Sequence, residues 1–352
     1  MRYGRHADPA MTLGTDPRAD PRMVAALARF GLDGPLPPSG LTLDSPIADR
    51  HAYAGASEQG MAALFDTLAS EMPAAQGVTT TSTTITGVDG NDITLFISRP
   101  TETTGPLPGV LHLHGGGMAL LSAAGGSYTA LREHLAATGL VVVGVEFRNS
   151  SGKLGPHPFP AGLNDCASGA RWVSAHRDEL GISHFIVNGE SGGGNLTLTL
   201  AHKAKRDGWI GEIAGIYAQC PFISNRWGQL CEDLPSMEEC DGYFIDGEQL
   251  SLLGSLYDPD GEHSGDATCF AAAATDEELK DLPPHVISVN ELDPLRDEGL
   301  QYYRRLLSAG VPTVGRVVLG TSHGGDLLLG SVMPDVFAAS VRDVSGFAYS
   351  LR

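Results

Sequence analysis

The stretch Ile186-Val187-Asn188-Gly189-Glu190-Ser191-Gly192-Gly193-Gly194-Asn195 sets a serine between glycines where the apolar run Phe185–Asn188 gives way to the amphipathic run Leu196–Lys205. The first run has the pattern of a buried strand and the second that of a helix. Gly-x-Ser-x-Gly at such a junction is the pattern of an exposed nucleophile on a sharp strand-to-helix turn. The turn strains the serine backbone and leaves no room for side chains on either flank, so both glycines are required. The helix start then aims its dipole and free N–H groups at the reacting atom. In a chain with 45 glycines the motif alone carries little weight, and its position between strand and helix carries most of it. Ser191 is therefore the expected nucleophile, against the plainer readings of a glycine-rich turn or a phosphate-binding loop.

On both sides of this turn, short apolar strands alternate with helices. Gly109–Leu113, Leu140–Val145, Phe185–Asn188, Ile213–Ala218, Val286–Val289 and Gly315–Leu319 read as strands. Tyr128–Ala137, Asn164–His176, Leu196–Lys205, Asp297–Ala309 and Pro334–Tyr349 read as helices. Repeated βαβ units predict an α/β fold with a mostly parallel sheet and helices on both faces. Val78–Thr86 and Ile93–Ser98, joined by Asp89-Gly90-Asn91-Asp92, predict a hairpin at one end of the sheet.

Two segments fall outside this rhythm. Residues 1–75 carry no strand pattern, only helical stretches near Pro21–Phe30 and Ala56–Met72; Met61, Leu64, Phe65 and Leu68 give the latter an apolar face. Residues 222–283 separate two strands by too long an interval for a bare loop. The expected organisation is an N-terminal cap segment over 1–75, a catalytic domain formed by 76–221 and 284–352, and an inserted, partly helical cap segment over 222–283.

Three further groups are needed for nucleophilic acyl transfer. Val110-Leu111-His112-Leu113-His114-Gly115-Gly116-Gly117 ends a strand in consecutive glycines, whose N–H groups can turn toward a ligand unobstructed. Gly115, Gly116 and Gly117, together with Gly192 after the nucleophile, are the expected oxyanion hole. His114 is expected to buttress this loop, and His112 to be an interior histidine. The acid should follow the serine in the chain and the base should follow the acid. Asp293 stands just past a strand end, ahead of Asp297 and Glu291 as candidates, while Asp297 and Glu298 lie where a helix dipole favours carboxylates. His323, in Gly320-Thr321-Ser322-His323-Gly324-Gly325 after the next strand, is the expected general base, and His263 is a weaker candidate among polar residues. Met118 and Glu190 are expected to face the substrate.

These blocks, with Pro156-His157-Pro158-Phe159-Pro160-Ala161 and Asp293-Pro294-Leu295-Arg296-Asp297-Glu298-Gly299, resemble the bacterial hormone-sensitive-lipase-like esterases of the α/β-hydrolase superfamily. The resemblance spans residues 112–324 and implies an α/β-hydrolase fold with a helical cap, and a carboxylesterase acting without cofactor or metal. The chain departs from the family pattern in places. Leu121 stands where the glycine loop usually has another glycine, Glu190 and Gly192 flank the nucleophile in place of Asp and Ala, and Ser150–Gly155 makes a longer loop.

The composition bounds the remaining possibilities. A net charge of −19 argues against nucleic acid and against an anionic membrane surface. No apolar run reaches the length of a membrane span, and the charged Met1–Pro17 stretch does not read as a signal peptide. Five cysteines, an odd number without metal-type spacing, fit an intracellular, cytoplasmic enzyme with free thiols. The expected partner is a small ester, acyl chains are expected to be short, and a homodimer is compatible with the sequence. Three rivals remain: a small-molecule-binding member of the fold, a dehydratase in the same pocket, and a Ser-x-x-Lys nucleophile at Ser150–Lys153. The last needs a helix, and its surroundings Asn149, Gly152, Gly155 and Pro156 predict a loop.

Overall fold

The computed structural model describes residues 3–227 and 231–351. Eight strands form one sheet in these residues: β1 (Val78–Thr86), β2 (Asp92–Pro100), β3 (Leu107–Leu113), β4 (Val141–Glu146), β5 (Ile182–Glu190), β6 (Gly215–Gln219), β7 (His285–Leu292) and β8 (Thr313–Ser322). Their order across the sheet is β1-β2-β4-β3-β5-β6-β7-β8. β2 runs antiparallel to both neighbours, and every pairing from β4 to β8 is parallel. The β1–β2 hairpin closes at the expected turn, where Gly90 adopts φ 80°.

The helices are α1 (Pro21–Ala28), α2 (Ile47–Ser70), α3 (Gly126–Ala137), α4 (Ala161–Ala175), α5 (Arg177–Leu180), α6 (Gly192–Arg206), α7 (Ser236–Glu239), α8 (Gly247–Tyr257), α9 (Asp276–Leu279), α10 (Arg296–Ser308), α11 (Gly325–Leu328) and α12 (Pro334–Ser350). Side chains alternate across a strand, so a strand covered on both faces is apolar throughout. Val110, Val142 and Ile186 pack on one face against Leu131 and Leu135 of α3 and Val341 and Val344 of α12. Leu111, Val143 and Val187 pack on the other against Ala170 of α4, Leu198 of α6 and Leu306 of α10.

A third apolar cluster joins residues 1–75 to the insert. Met23, Leu27, Leu64, Phe65 and Leu68 pack against Tyr243, Leu253 and Leu256 and against Leu120, Leu121 and Tyr128. The Glu239 carboxylate adds an ionic tie, taking Arg18 Nη1 at 2.6 Å and Arg296 Nη2 at 2.9 Å. The segment between β6 and β7 is held to α6 by Asn195, whose Nδ2 donates to the Cys269 carbonyl at 2.8 Å and whose Oδ1 accepts from Ala271 N at 3.1 Å.

The structure lengthens one expected helix. α2 starts at Ile47 rather than Ala56, because its first turns mix apolar and polar residues of which only Ala54 is buried, and the Pro46 cap offers no side-chain hydrogen bond. Among the described residues no helix is long and apolar enough to cross a membrane.

Candidate active site

β3, β5, β6, β7 and β8 all point their C-terminal ends at one crevice, the usual ligand position in a sheet of this kind. Ser191 follows β5 directly and caps α6 with φ 57° and ψ −121°, a conformation that a serine holds only where its surroundings impose it. Its N–H donates to the Gln219 carbonyl at 2.9 Å, and its carbonyl accepts from Asn195 N and Phe222 N, both at 3.0 Å. A Cβ on Gly189 would lie 2.5 Å from the carbonyl oxygens of Gly193 and Leu113, and one on Gly193 would collide with Leu113 harder still. The expected need for glycine on both flanks therefore has a steric cause in the structure.

Asp293 and His323 come together at the ends of β7 and β8. Nδ1 of His323 lies 2.8 Å from Asp293 Oδ2, and both side chains are buried. The other Asp293 oxygen accepts from Leu295 N at 2.9 Å, which fixes the carboxylate plane. Burial works against the charged imidazole, but the Asp293 carboxylate outweighs it and holds His323 well above the usual histidine value. Ser191 and His323 line the same small cavity, of about 50 Å³, with Gly116, Gly117, Cys220 and Leu253.

The glycine loop needs its glycines. Gly116 and Gly117 have φ of 99° and 62°, and a Cβ on Gly116 would strike the Leu120 carbonyl. Gly192 packs on the same loop, so closely that an added Cβ would lie 2.6 Å from Gly117 N. The backbone N–H groups of Gly116, Gly117 and Gly192 take no hydrogen-bond partner among the described residues. Three donors so grouped can receive a developing oxyanion. Gly115 cannot join them as expected: its N–H is engaged by Glu190 Oε1 at 2.6 Å.

The model of the α/β-hydrolase fold family matches residues 110–326, well over half of the chain. Esterase LipI of Mycobacterium tuberculosis is 33% identical over 212 residues, 58% of this chain and 61% of LipI. Carboxylesterase NlhH of the same species is 33% identical over 238 residues, 64% of this chain and 69% of NlhH. Among solved structures, a brefeldin A esterase described as a bacterial homologue of human hormone-sensitive lipase superposes with a TM-score of 0.96, at 43% identity over 99% of this chain and 98% of its own. Esterase Est22 with p-nitrophenol superposes with a TM-score of 0.84, at 37% identity over 96% of this chain and 99% of its own. The chain belongs to the hormone-sensitive-lipase-like esterases of the α/β-hydrolase family.

The remaining candidates for this esterase site take different parts. Glu190 lines the cavity and also buttresses the loop: besides Gly115 N it meets His112 Nε2 at 3.3 Å and the Tyr128 hydroxyl. Met118, expected at the substrate, is buried behind the loop with its sulfur 3.9 Å from Asn195 Nδ2, and it does not line the cavity. His114 does support the loop, with its Nδ1–H donating to the Gly115 carbonyl at 2.8 Å and its ring stacked on Phe147 at 4.1 Å. Burial pushes His114 down to about 3, so it stays neutral. Glu291 binds Gly320 N, Asp297 pairs with Arg296 and Ser236 N, and His263 packs on Phe159; none of them is bonded to His323. Ser150 and Lys153 lie in a loop, without the helix that a Ser-x-x-Lys site requires.

Two residues escaped the sequence reading. Cys220, with φ 33°, puts its thiol beside His323, so that Cys220, Asp293 and His323 bring potential ligand atoms within 4.8 Å of one another. Burial raises the thiol above its ordinary value, which disfavours the thiolate a metal would need. Glu298, expected to serve only the helix dipole, accepts from Ile223 N at 2.7 Å and from the Ser224 hydroxyl. It ties Ile223 and Ser224 to α10, and full burial pushes it up to about 8. Neither role leaves a local sequence signal, because both partners are distant in the chain.

Proposed function

We propose that this esterase hydrolyses short-chain acyl esters, with Ser191 as nucleophile, His323 as general base and acid, Asp293 as orienting carboxylate, and Gly116, Gly117 and Gly192 as the oxyanion hole. His323 takes the proton of Ser191 Oγ through Nε2 as Oγ attacks the ester carbonyl carbon. The carbonyl oxygen becomes an oxyanion among the three N–H groups, each worth about 3–4 kcal/mol of barrier. Collapse breaks the bond to the alcohol, which leaves with the proton from His323, and the acyl group stays on Ser191. Water then attacks, gives its proton to His323, and the second collapse releases the acid and restores Ser191. No step needs a cofactor.

The observation that carries this reading is the buried Asp293–His323 pair opening, with Ser191, onto one cavity beside three unpartnered N–H groups. The alternatives of a binding protein or a dehydratase gain nothing from the comparisons, whose named relatives are esterases. The α2 helix, α8 and the cluster of Leu64, Phe65, Leu253 and Leu256 support a cap formed by residues 1–75 and 222–283 over the site, with 76–221 and 284–352 as the catalytic domain. Five unpaired cysteines support a cytoplasmic location. The edge strand β8, with exposed Val314, Val317 and Leu319, supports a homodimer joined along that edge. The net charge of −19 supports a protein that engages neither nucleic acid nor membrane.

A cavity of about 50 Å³ has room for a small acyl group. Each buried methylene adds about 0.8 kcal/mol until the space is full. Across p-nitrophenyl esters from acetyl to palmitoyl, kcat/KM should rise and then fall by octanoyl, with no rate jump at an emulsion surface. A steady rise to palmitoyl, or interfacial activation, would contradict the short-chain assignment.

A further inference from the structure

Beyond the catalytic cavity lies a larger pocket of about 850 Å³ between α2 and the loops at 121–128 and 151–156. The two spaces share three lining residues, Phe65, Leu121 and Tyr128. Leu121 stands out among them. It has φ 76°, a left-handed conformation that a bulky side chain adopts only under constraint. Glycine is the residue for which that conformation costs nothing.

The constraint is visible. Leu121 N donates to Glu58 Oε1 at 2.7 Å, and the Leu121 carbonyl accepts from Asn149 Nδ2 at 2.7 Å. The second Glu58 oxygen accepts from Lys153 N at 2.7 Å. Gly152, at φ 60°, has no room for a Cβ, which would sit 2.6 Å from Glu58 Oε2. One carboxylate on α2 thus clamps both Leu121 and the 150–155 loop. The outcome is a leucine side chain laid over the oxyanion glycines: a Cβ on Gly116 would come within 3.3 Å of Leu121 Cδ1.

We propose that Leu121 is the specificity-determining wall between the catalytic cavity and the outer pocket. It confines the enzyme to small esters and closes off a ready-made subsite for a bulky, ring-containing half of an ester. This rests on the reading of the site as an ester hydrolase. The outer pocket suits such a group, because Ala62, Phe65 and Leu121 offer apolar surface while His51, Asp66 and Lys153 offer polar groups at its rim.

The test compares p-nitrophenyl acetate with two esters bulky on opposite sides, p-nitrophenyl cyclohexanecarboxylate and cyclohexyl acetate. For Leu121→Gly, the ratio of kcat/KM for at least one bulky ester over that for p-nitrophenyl acetate should rise roughly 10²-fold, the scale set by opening a pocket by several carbons. Leu121→Ala gives a milder version should the glycine variant fail to fold. Glu58→Gln, which weakens the clamp without touching the leucine, should move the ratio the same way by less. Adding Ala62→Phe to Leu121→Ala refills the outer pocket and should reverse the gain, a reversal that mere loosening of the fold would not produce. Ratios that stay within about threefold of wild type in variants still turning over p-nitrophenyl acetate would overturn the wall. A wild-type protein inactive on p-nitrophenyl acetate would overturn the esterase reading itself.

Discussion

Asp293→Asn tests the electrostatics of the site without changing its shape. Asp293 Oδ1 is committed to Leu295 N at 2.9 Å, so an asparagine keeps its oxygen there and turns its NH2 toward His323 Nδ1, 2.8 Å away. Two donors cannot share that gap, so the imidazole must carry its hydrogen on Nε2 and present its lone pair to the asparagine. The nitrogen needed to take the Ser191 proton is then blocked. The lost charge interaction gives the scale. Unit charges 2.8 Å apart at an effective dielectric of about 20 attract by roughly 6 kcal/mol. A fall in kcat on the order of 10⁴, which the same change produces in serine proteases, corresponds to roughly 5 kcal/mol. The two routes agree, so kcat on p-nitrophenyl acetate should drop on the order of 10⁴ while the melting temperature changes little. Asp297→Asn, which touches only Arg296 and Ser236, should stay within roughly tenfold of wild type. A reversal of these two effects, or an Asp293→Asn enzyme within roughly tenfold of wild type, would refute the assignment of the acid.

Two pH dependences follow from the same groups. Because Asp293 raises His323 above its ordinary value of 6.5, the neutral base forms only as pH climbs past that value; kcat/KM should therefore have its acid limb above 6.5 and move to lower pH in Asp293→Asn, as a pH–rate profile would show. Glu298 is an acid raised from 4.5 to about 8 by burial, so its protonated form suits the fold and stability is lost as pH rises across that window, by up to about 5 kcal/mol. Glu298→Gln keeps an acceptor for Ile223 N, and denaturant melts should show it matching wild type near pH 4 and exceeding it near pH 9.

The inner strands of the sheet were legible because they are buried on both faces and therefore apolar without interruption, as Val141–Val145 and Phe185–Val187 are. The placing of Ser191 on a strand-to-helix turn was legible because sterics at Gly189 and Gly193 force the motif, and that of His323 because it stands just past a strand end, where β8 stops at Ser322. Partnerships across the chain were not legible. Gly115 looks like Gly116 and Gly117 in the sequence, yet a carboxylate 75 positions away takes its N–H. Met118 follows the glycines in sequence but turns behind them at φ 59°. The first turns of α2 carry no continuous apolar stripe; His51 in them bonds Ser151, while Glu58, further along the helix, holds Leu121 N and Lys153 N. Leu121 was visible as a departure from pattern, but its consequence depends on a pocket that no local sequence encodes.

A fluorophosphonate probe followed by peptide mass mapping tests whether Ser191 is the nucleophile that carries the acyl group. The expected result is a single covalent adduct on Ser191, stoichiometric loss of esterase activity, and neither label nor activity in Ser191→Ala. An adduct on Ser150, Ser151 or Cys220, or a Ser191→Ala protein that still cleaves p-nitrophenyl acetate at the wild-type rate, would contradict it.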